Sequence, residues 1–263
     1  MKTLVMKFGG ASVASPDCFS RIADIILSRL EEYPRIAIVV SAMGNTTDQL
    51  ISMAKEVNPE PPQREYDMLV SVGERISISL LAMALARKKR HAVSFTGSQS
   101  GIITCGRHTD ARIIDVRPHR ILPVLEAGNL VIVAGFQGVS KNGEITTLGR
   151  GGSDTTAVAL AAAIDAHKVE FYKDVPGIFL EDPKKNPAAL LMKELSYDQA
   201  ENIVKNGCEI LHLRSILLAK KNSLRLHVRS FLDFGCGKIE GTLIGDLIHS
   251  SRCFPMYEED CMS

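Results

Sequence analysis

Ile36-Ala37-Ile38-Val39-Val40 is an unbroken apolar run, rich in β-branched residues and without polar alternation. A strand of that kind is buried on both faces, and a sheet built from such strands needs helices above and below it. The surrounding sequence agrees. Thr3 to Lys7 is a second short apolar run, closed by Gly9-Gly10, and Ser15-Pro16 then offers a helix cap with proline at the first helical position. Phe19, Ile22, Ala23, Ile26 and Leu30 follow at helical spacing, so the first forty residues predict a βαβ unit.

The alternation continues. Helices are predicted over Thr47 to Val57 and Arg64 to Lys88, on either side of the proline-rich spacer Asn58 to Gln63, and a strand over His91 to Thr96. After a less regular stretch come a helix Pro118 to Ala127, a strand Leu130 to Ala134, and Asn142-Gly143, a two-residue hairpin signal that predicts an antiparallel element. Helix Asp154 to Ile164, strand Lys168 to Tyr172, helices Tyr197 to Asn206 and His212 to Lys221, and strands Leu224 to Arg229 and Thr242 to Ile244 complete the reading. The fold class is α/β, a mostly parallel central sheet covered on both faces. From about Ile248 the residues are mixed and end acidic, which predicts a loose tail.

Charge narrows the function. With 31 basic and 30 acidic residues spread along 263, no broad field attracts nucleic acid or anionic lipid, so any anion site is local. No uninterrupted apolar run approaches the roughly 20 residues that span a bilayer. Six scattered cysteines without a C-x-x-C pair, behind a start that reads as a strand, predict a soluble protein of a reducing cytoplasm.

Turns at the carboxyl ends of parallel strands bind anions, because free N–H groups and helix dipoles point there. Three glycine-bearing segments occupy such places: Lys7-Phe8-Gly9-Gly10-Ala11-Ser12, Gly149-Arg150-Gly151-Gly152-Ser153-Asp154, and Asp174-Val175-Pro176-Gly177. Taken singly each reads as an ordinary tight turn; their joint occurrence after buried strands points to phosphate. A Walker-type loop, the protein-kinase signatures and a G-x-G-x-x-G opening the first helix are all missing. Gly97-Ser98-Gln99-Ser100-Gly101 is not a nucleophile elbow, because its third position is glutamine.

With these segments the chain resembles the amino acid kinases, and within them the aspartate kinases. The resemblance rests on Lys7 to Val13, on Val40-Ser41-Ala42-Met43-Gly44-Asn45-Thr46-Thr47-Asp48, on Ser71-Val72-Gly73-Glu74-Arg75, on Gly135-Phe136 with Leu148 to Thr155, and on Lys173 to Phe179 with Asp182-Pro183. It runs to about residue 245. It implies a three-layer αβα sandwich of the carbamate kinase-like type, one catalytic domain over 1–245 with a substrate lobe to about 140 and a nucleotide lobe from about 141, and a tail over 246–263.

The activity implied is transfer of the γ-phosphoryl group of ATP, with Mg²⁺, to the β-carboxylate of L-aspartate, the opening step of lysine, threonine, methionine and diaminopimelate synthesis. The resemblance further implies that Ser41, Thr47, Glu74, Phe136, Arg150, Ser153 and Asp154 surround the amino acid. Lys7, Gly9, Gly10 and Ser12 would face the phosphates, with Lys173, Asp174, Phe179 and Lys184 on the nucleotide side. Arg150 suits an α-carboxylate, and Glu74 and Asp154 suit an α-ammonium. Lys7 and Asp154 are the expected catalytic pair, no protein metal ligand is assigned, and a homodimer is implied.

Some positions depart from the family pattern. Ala11 and Lys173 stand where threonine is usual, Phe179 where tyrosine is common, and Glu209 replaces a lysine associated with ATP. Lys173, Lys205 and Arg214 are the candidates to supply the missing cation if Glu209 turns outward. Because little follows Ile244, paired regulatory domains and feedback by lysine or threonine are not expected. The rival readings are a glutamate, acetylglutamate or phosphate-monoester kinase of the same fold, and a non-catalytic nucleotide- or amino-acid-binding subunit.

Overall fold

The computed structural model describes residues 2–181, 186, 188–234, 241–246 and 254–260. The chain opens with β1 (Thr3–Phe8), α1 (Cys18–Ser28) and β2 (Arg35–Val40), and the two strands pair in parallel. Helices α2 (Thr46–Val57), α3 (Gln63–Val70) and α4 (Val72–Arg87) lead to β3 (Ala92–Phe95), β4 (Ile102–Thr104), β5 (Ile113–Val116), α5 (Leu122–Glu126) and β6 (Leu130–Ala134). The hairpin β7 (Gln137–Ser140) and β8 (Ile145–Thr147) follows, then α6 (Gly152–Ala163) and β9 (Lys168–Lys173). The chain continues with β10 (Glu194–Leu195), α7 (Tyr197–Lys205), α8 (Leu213–Lys221), β11 (Arg225–Ser230) and β12 (Thr242–Ile244).

The main sheet has the order β10-β12-β11-β9-β1-β2-β6-β3, parallel throughout except where β12 pairs with β11. Alternation along its central strands divides the core in two. Leu4, Met6, Phe8, Ile36, Ile38, Val40 and Ile132 pack with α1 and α4, whereas Val5, Ala37, Val39, Val131 and Val133 pack with α5, α6 and α8. A strand apolar on both faces is therefore apolar because two helical layers need it, as Ile36 to Val40 required. The four short strands β5-β4-β7-β8 form a second sheet beside the main one.

The differences from the sequence reading have local causes. Strands β4 and β5 fell within the stretch read as irregular, because three or four residues leave too little periodicity to see. The expected helix Arg64 to Lys88 is broken at Ser71, whose carbonyl accepts a hydrogen bond from Gln137 Nε2 at 2.7 Å instead of serving the helix. The hairpin loop has three residues, not two: Ser140 N bonds Glu144 O at 2.8 Å, and Gly143 takes φ +85°, the geometry of a turn closed by a left-handed residue.

Two further expectations change. Residues 254–260 are docked rather than loose: Glu258 N donates to Ile113 O, and Met256 exchanges hydrogen bonds with the Asn222 side chain. Cys18 and Cys208 are free thiols, but Cys105 is disulfide-bonded, since proximity in the fold rather than spacing along the chain decides a cross-link.

The stretch Gln63–Arg87 is long and apolar enough, by composition, to cross a bilayer. Here Ile78, Leu81 and Leu85 face the core, and the buried Asp67 and Glu74 lie along it. Met68, Val72, Ile76 and Met83 are left exposed on its outer side.

Gly97-Ser98-Gln99-Ser100-Gly101 is the turn between β3 and β4, braced by Ser100 Oγ donating to Gly97 O at 2.7 Å. A Cβ on Gly97 would lie 2.1 Å from Gln137 O, whereas one on Gly106 would meet nothing within 4 Å. Gly97→Ala is expected to lower stability by about 2–3 kcal/mol in urea unfolding, and Gly106→Ala to stay within about 0.5 kcal/mol.

Candidate active site

Parallel pairing brings the carboxyl ends of β1, β2, β6 and β9 side by side, and the loops leaving them converge. Ser41 N donates to Phe8 O, Gly44 N to Gly10 O, and Gly135 N to Val40 O. The approach is too close for side chains: a Cβ on Gly10 would lie 3.1 Å from Ala42 O, and one on Gly135 would lie 2.7 Å from Ser153 Oγ. Contact between the loops favours glycine at these positions, most strictly at Gly135.

Lys7, at the end of β1, is buried and meets Asp154 Oδ1 at 2.5 Å. Lys173, closing β9, meets Asp154 Oδ2 at 3.2 Å. Asp154 sits in the first turn of α6, where the helix dipole also favours negative charge. Burial alone pushes the Asp154 carboxyl up, but Lys7 and Lys173 outweigh it and hold the group at about 2. Burial draws the Lys7 ammonium below its ordinary value, against the pull of Asp154. Two cations thus share one carboxylate, and the array carries a net positive charge.

Glu74 lies in the first turn of α4. Its Oε1 accepts from Ala42 N at 3.1 Å, and its Oε2 is buried with no hydrogen-bond partner among the described residues. A Cβ on Gly73 would lie 2.7 Å from Ala42 Cβ, so glycine lets α4 press against the β2 loop. Burial pushes the Glu74 carboxyl up to about 8, with two backbone N–H groups and Lys7 opposing. At neutral pH the free protein therefore keeps Glu74 protonated.

Phe136 is a half-buried residue with φ +68°, held by its N–H donating to Thr156 Oγ1 and its carbonyl accepting from Leu148 N. A left-handed conformation in an aromatic residue is strained, and it persists because both backbone groups are tied. The neighbouring Gly149 and Gly151 are also left-handed, at φ +70° and +69°. Between them Arg150 is exposed and makes no ion pair among the described residues.

Of the residues singled out from sequence, Lys7, Gly10, Ser41, Glu74, Phe136, Ser153, Asp154 and Lys173 are linked into this one constellation by the contacts above, and Gly9 adjoins Lys7, a Cβ there lying 3.5 Å from Nζ. Ser12 braces it, its hydroxyl donating to Gly9 O at 2.6 Å. Thr47 lies in the first turn of α2, and the cap position belongs to Asn45. Asp174 is exposed just beyond β9, and Phe179 is half-buried in an isolated bridge to Leu191. Lys184 lies outside the described residues. Glu209 is exposed and pairs with no cation among them, Lys205 is held by Glu201 at 2.6 Å, and Arg214 is held by Glu258. Lys173 is the one of the three alternative cations that faces the site.

A profile of the amino acid kinase family matches residues 2–230. The chain belongs to the amino acid kinase family. An aspartokinase of Geobacillus stearothermophilus is 48% identical over 233 residues, 89% of this chain and 57% of that protein. One from Mycolicibacterium smegmatis is 48% identical over 231 residues, covering 88% and 55%. Among solved structures, the aspartate kinase of Synechocystis superposes with a TM-score of 0.84 at 37% identity, covering 98% of this chain and 42% of that one. The chain spans a little over half the length of the curated relatives it matches.

Sequence reasoning did not single out Asp67. This buried carboxylate on α3 accepts from Thr147 Oγ1 at 2.5 Å, Thr147 N and Thr109 N, and lies 2.8 Å from His108 Nδ1. It ties α3 to β8 just before the Gly149 turn. Nothing along the chain set it apart, since α3 reads Gln-Arg-Glu-Tyr-Asp-Met-Leu-Val, with Arg64 and Glu65 charged beside it.

The raised Glu74 carboxyl has a thermodynamic signature. Between the ordinary glutamate value and about 8, the folded protein holds a proton that the unfolded chain has released, so this group makes stability fall as pH rises through that window. Infrared titration should show a protonated carboxyl lost near pH 8, and Glu74→Gln should remove both the band and its share of the pH dependence.

Proposed function

We propose that this chain phosphorylates the β-carboxylate of L-aspartate with MgATP. The observation that carries the reading is the largely buried Lys7–Asp154–Lys173 array at the strand ends, beside the Gly9-Gly10 turn. A carboxylate is already a nucleophile at neutral pH, so the reaction needs no general base. One aspartate oxygen attacks the γ-phosphorus, the bond to the bridging oxygen breaks, and ADP leaves with its electron pair.

The obstacle is repulsion between anions, and two ammonium groups offset it. Each within about 4 Å of a phosphate oxygen contributes roughly 4 kcal/mol at an effective dielectric near 20. Lys7 and the Gly9-Gly10 N–H groups hold the transferring oxygens, and Asp154 fixes both ammonium groups in place. Gly9 passes directly beside the ammonium: a Cβ there would lie 3.5 Å from Lys7 Nζ, an ordinary contact distance. Among the described residues no cluster of three His, Cys, Asp or Glu side chains gathers, and both Asp154 oxygens are engaged. Mg²⁺ accordingly fits as an ion carried by the nucleotide, where it neutralises phosphate charge.

On the amino-acid side, the unpartnered Glu74 Oε2 meets the α-ammonium, and Arg150, free of ion pairs among the described residues, meets the α-carboxylate. Ser41, Thr47, Ser153 and the strained Phe136 line the same pocket. Asp174, Phe179 and Lys184 are assigned to the nucleoside side. The solved E. coli aspartokinase III, 28% identical with a TM-score of 0.83, is described in complex with aspartate and ADP, in keeping with this division. The domain reading is one catalytic unit over 1–245 with substrate and nucleotide lobes, working in the cytoplasm. The quaternary reading is a homodimer covering the exposed apolar residues Met68, Val72, Ile76 and Met83 on the outer side of α3 and α4, for sedimentation velocity to test.

A hydroxylamine assay for acyl phosphate, with aspartate against glutamate, acetylglutamate and a phosphate monoester, tests the substrate. Product from glutamate but not aspartate would overturn the assignment, and nucleotide binding without product would favour a non-catalytic subunit. Lys7→Met should lower turnover by at least a thousandfold while circular dichroism stays native. Because Glu74 must lose its proton to pair with an ammonium, aspartate affinity should rise up to about tenfold per pH unit toward 8. That dependence should vanish in Glu74→Gln.

A further inference from the structure

The loop that carries Arg150 has little in its own sequence to fix it. Gly149 and Gly151, both left-handed, flank the arginine, and the exposed Arg150 has no ion pair among the described residues to set its direction. The backbone on either side must therefore be held by something else. On one side a Cβ on Gly151 would fall 2.1 Å from the ring of His212, so the His212 side chain walls the turn. On the other side the anchor is Arg214.

Arg214 makes four hydrogen bonds with its fork. Nη1 donates to Leu148 O at 2.5 Å and Nη2 to Ala111 O at 2.8 Å, while Nε and Nη2 donate to the two oxygens of Glu258 at 2.8 and 2.9 Å. Asp110 Oδ1 stands 3.5 Å from Nη1. Both side chains of the Arg214–Glu258 pair are only 12% exposed, so the pair is strong in orientation as well as charge.

Glu258 is itself fixed. Its Oε2 accepts from Ile113 N at 2.9 Å, its own N–H donates to Ile113 O at 2.9 Å, and Arg112 Nη1 lies 3.6 Å from Oε1. The segment around it is tied at Met256 to Asn222 of α8's end and at Asp260 to Lys141 of the β7–β8 hairpin, with Tyr257 packed on the core. Residues 256–260 thus strap the second sheet to α8, and the point where strap and loop meet is Arg214.

We infer that Glu258, acting through Arg214, is a positioning residue for the amino-acid substrate: it orients the fork that holds the Leu148 carbonyl, and through it the direction of Arg150. This rests on the reading of Arg150 as the α-carboxylate ligand. Without the bidentate carboxylate, Arg214 can swing toward Asp110 and release Leu148 O, leaving Arg150 between two glycines with one wall. The nucleotide side is built on β1 and β9, and among the described residues neither Arg214 nor Glu258 makes a hydrogen bond or ion pair to Lys7, Asp154 or Lys173.

Glu258→Gln keeps the side-chain shape and the acceptor for Ile113 N while removing the charge that pairs with Arg214. It is expected to raise the KM for aspartate about tenfold, with the KM for ATP and kcat within twofold, and to speed amide hydrogen exchange in peptides covering 147–152 but not 35–40. Glu258→Asp, which restores the charge, should recover part of the aspartate KM. Equal loss in both Michaelis constants, or unchanged exchange at 147–152, would overturn the inference in favour of a merely structural role. Arg150→Ala measured alongside separates the two levels. If it raises the aspartate KM and Glu258→Gln does not, the positioning role is refuted. If Arg150→Ala also leaves that KM unchanged, the substrate assignment itself has failed and the positioning role falls with it.

Discussion

The arrangement turns on one carboxylate between two ammonium groups. Lys7 and Lys173 lie at the ends of neighbouring parallel strands, in a register that sets Lys7 beside Phe171, and Asp154 enters from the first turn of α6 to touch both. Two buried cations left side by side would repel and lose hydration, an arrangement that folds only with a counter-charge. A second carboxylate would neutralise the array and remove its attraction for phosphate. One carboxylate against two cations satisfies both demands, since the fold tolerates it and one positive charge remains uncompensated. Glu74, kept protonated by burial at neutral pH, leaves that balance undisturbed until a cation arrives.

Placing those three residues required the layered sheet, and this was the most legible part of the sequence. Runs such as Ile36 to Val40 and Leu130 to Ala134 are apolar at every position because successive residues enter two different cores. The glycine turns were legible as a group, and Gly10, Gly151 and Gly177, one from each, all lie where a Cβ would crowd a neighbouring segment. Short strands were not legible. β4 and β5 owe their existence to pairing with β7 and with each other, so their own few residues carry no sufficient signal. Ser71 shows the same limit, because the break in the helix is imposed by Gln137, distant in sequence.

Buried polar anchors were legible as residues but not as partners. Asp67 and Arg214 hold the second sheet and the Gly149 turn from opposite sides: Asp67 grips Thr147 and Thr109, and Arg214 grips Leu148 and Ala111. Each gathers its donors or acceptors from segments far apart in the chain, so only the fold reveals what is held. The segment 254–260 illustrates the point most fully. Its acidic composition suggested solvent, yet Glu258 finds a guanidinium and an unpaired strand edge at Ile113. Composition reports what a segment lacks for making its own core, and it is silent on a core made elsewhere.

The departures from the family pattern can be weighed in the same terms. Glu209 puts a negative charge where the resemblance led one to expect a positive one, and Lys173 puts a positive charge where a neutral residue was expected. Glu209 is exposed between α7 and α8, at high dielectric, where its effect on the Lys7–Asp154–Lys173 array is screened. Lys173 is mostly buried against Asp154, where a charge acts with little screening. Position therefore decides the sign of the combined change. The cation gained lies in the array and the anion gained lies in solvent, so the positive character of the strand ends survives both substitutions.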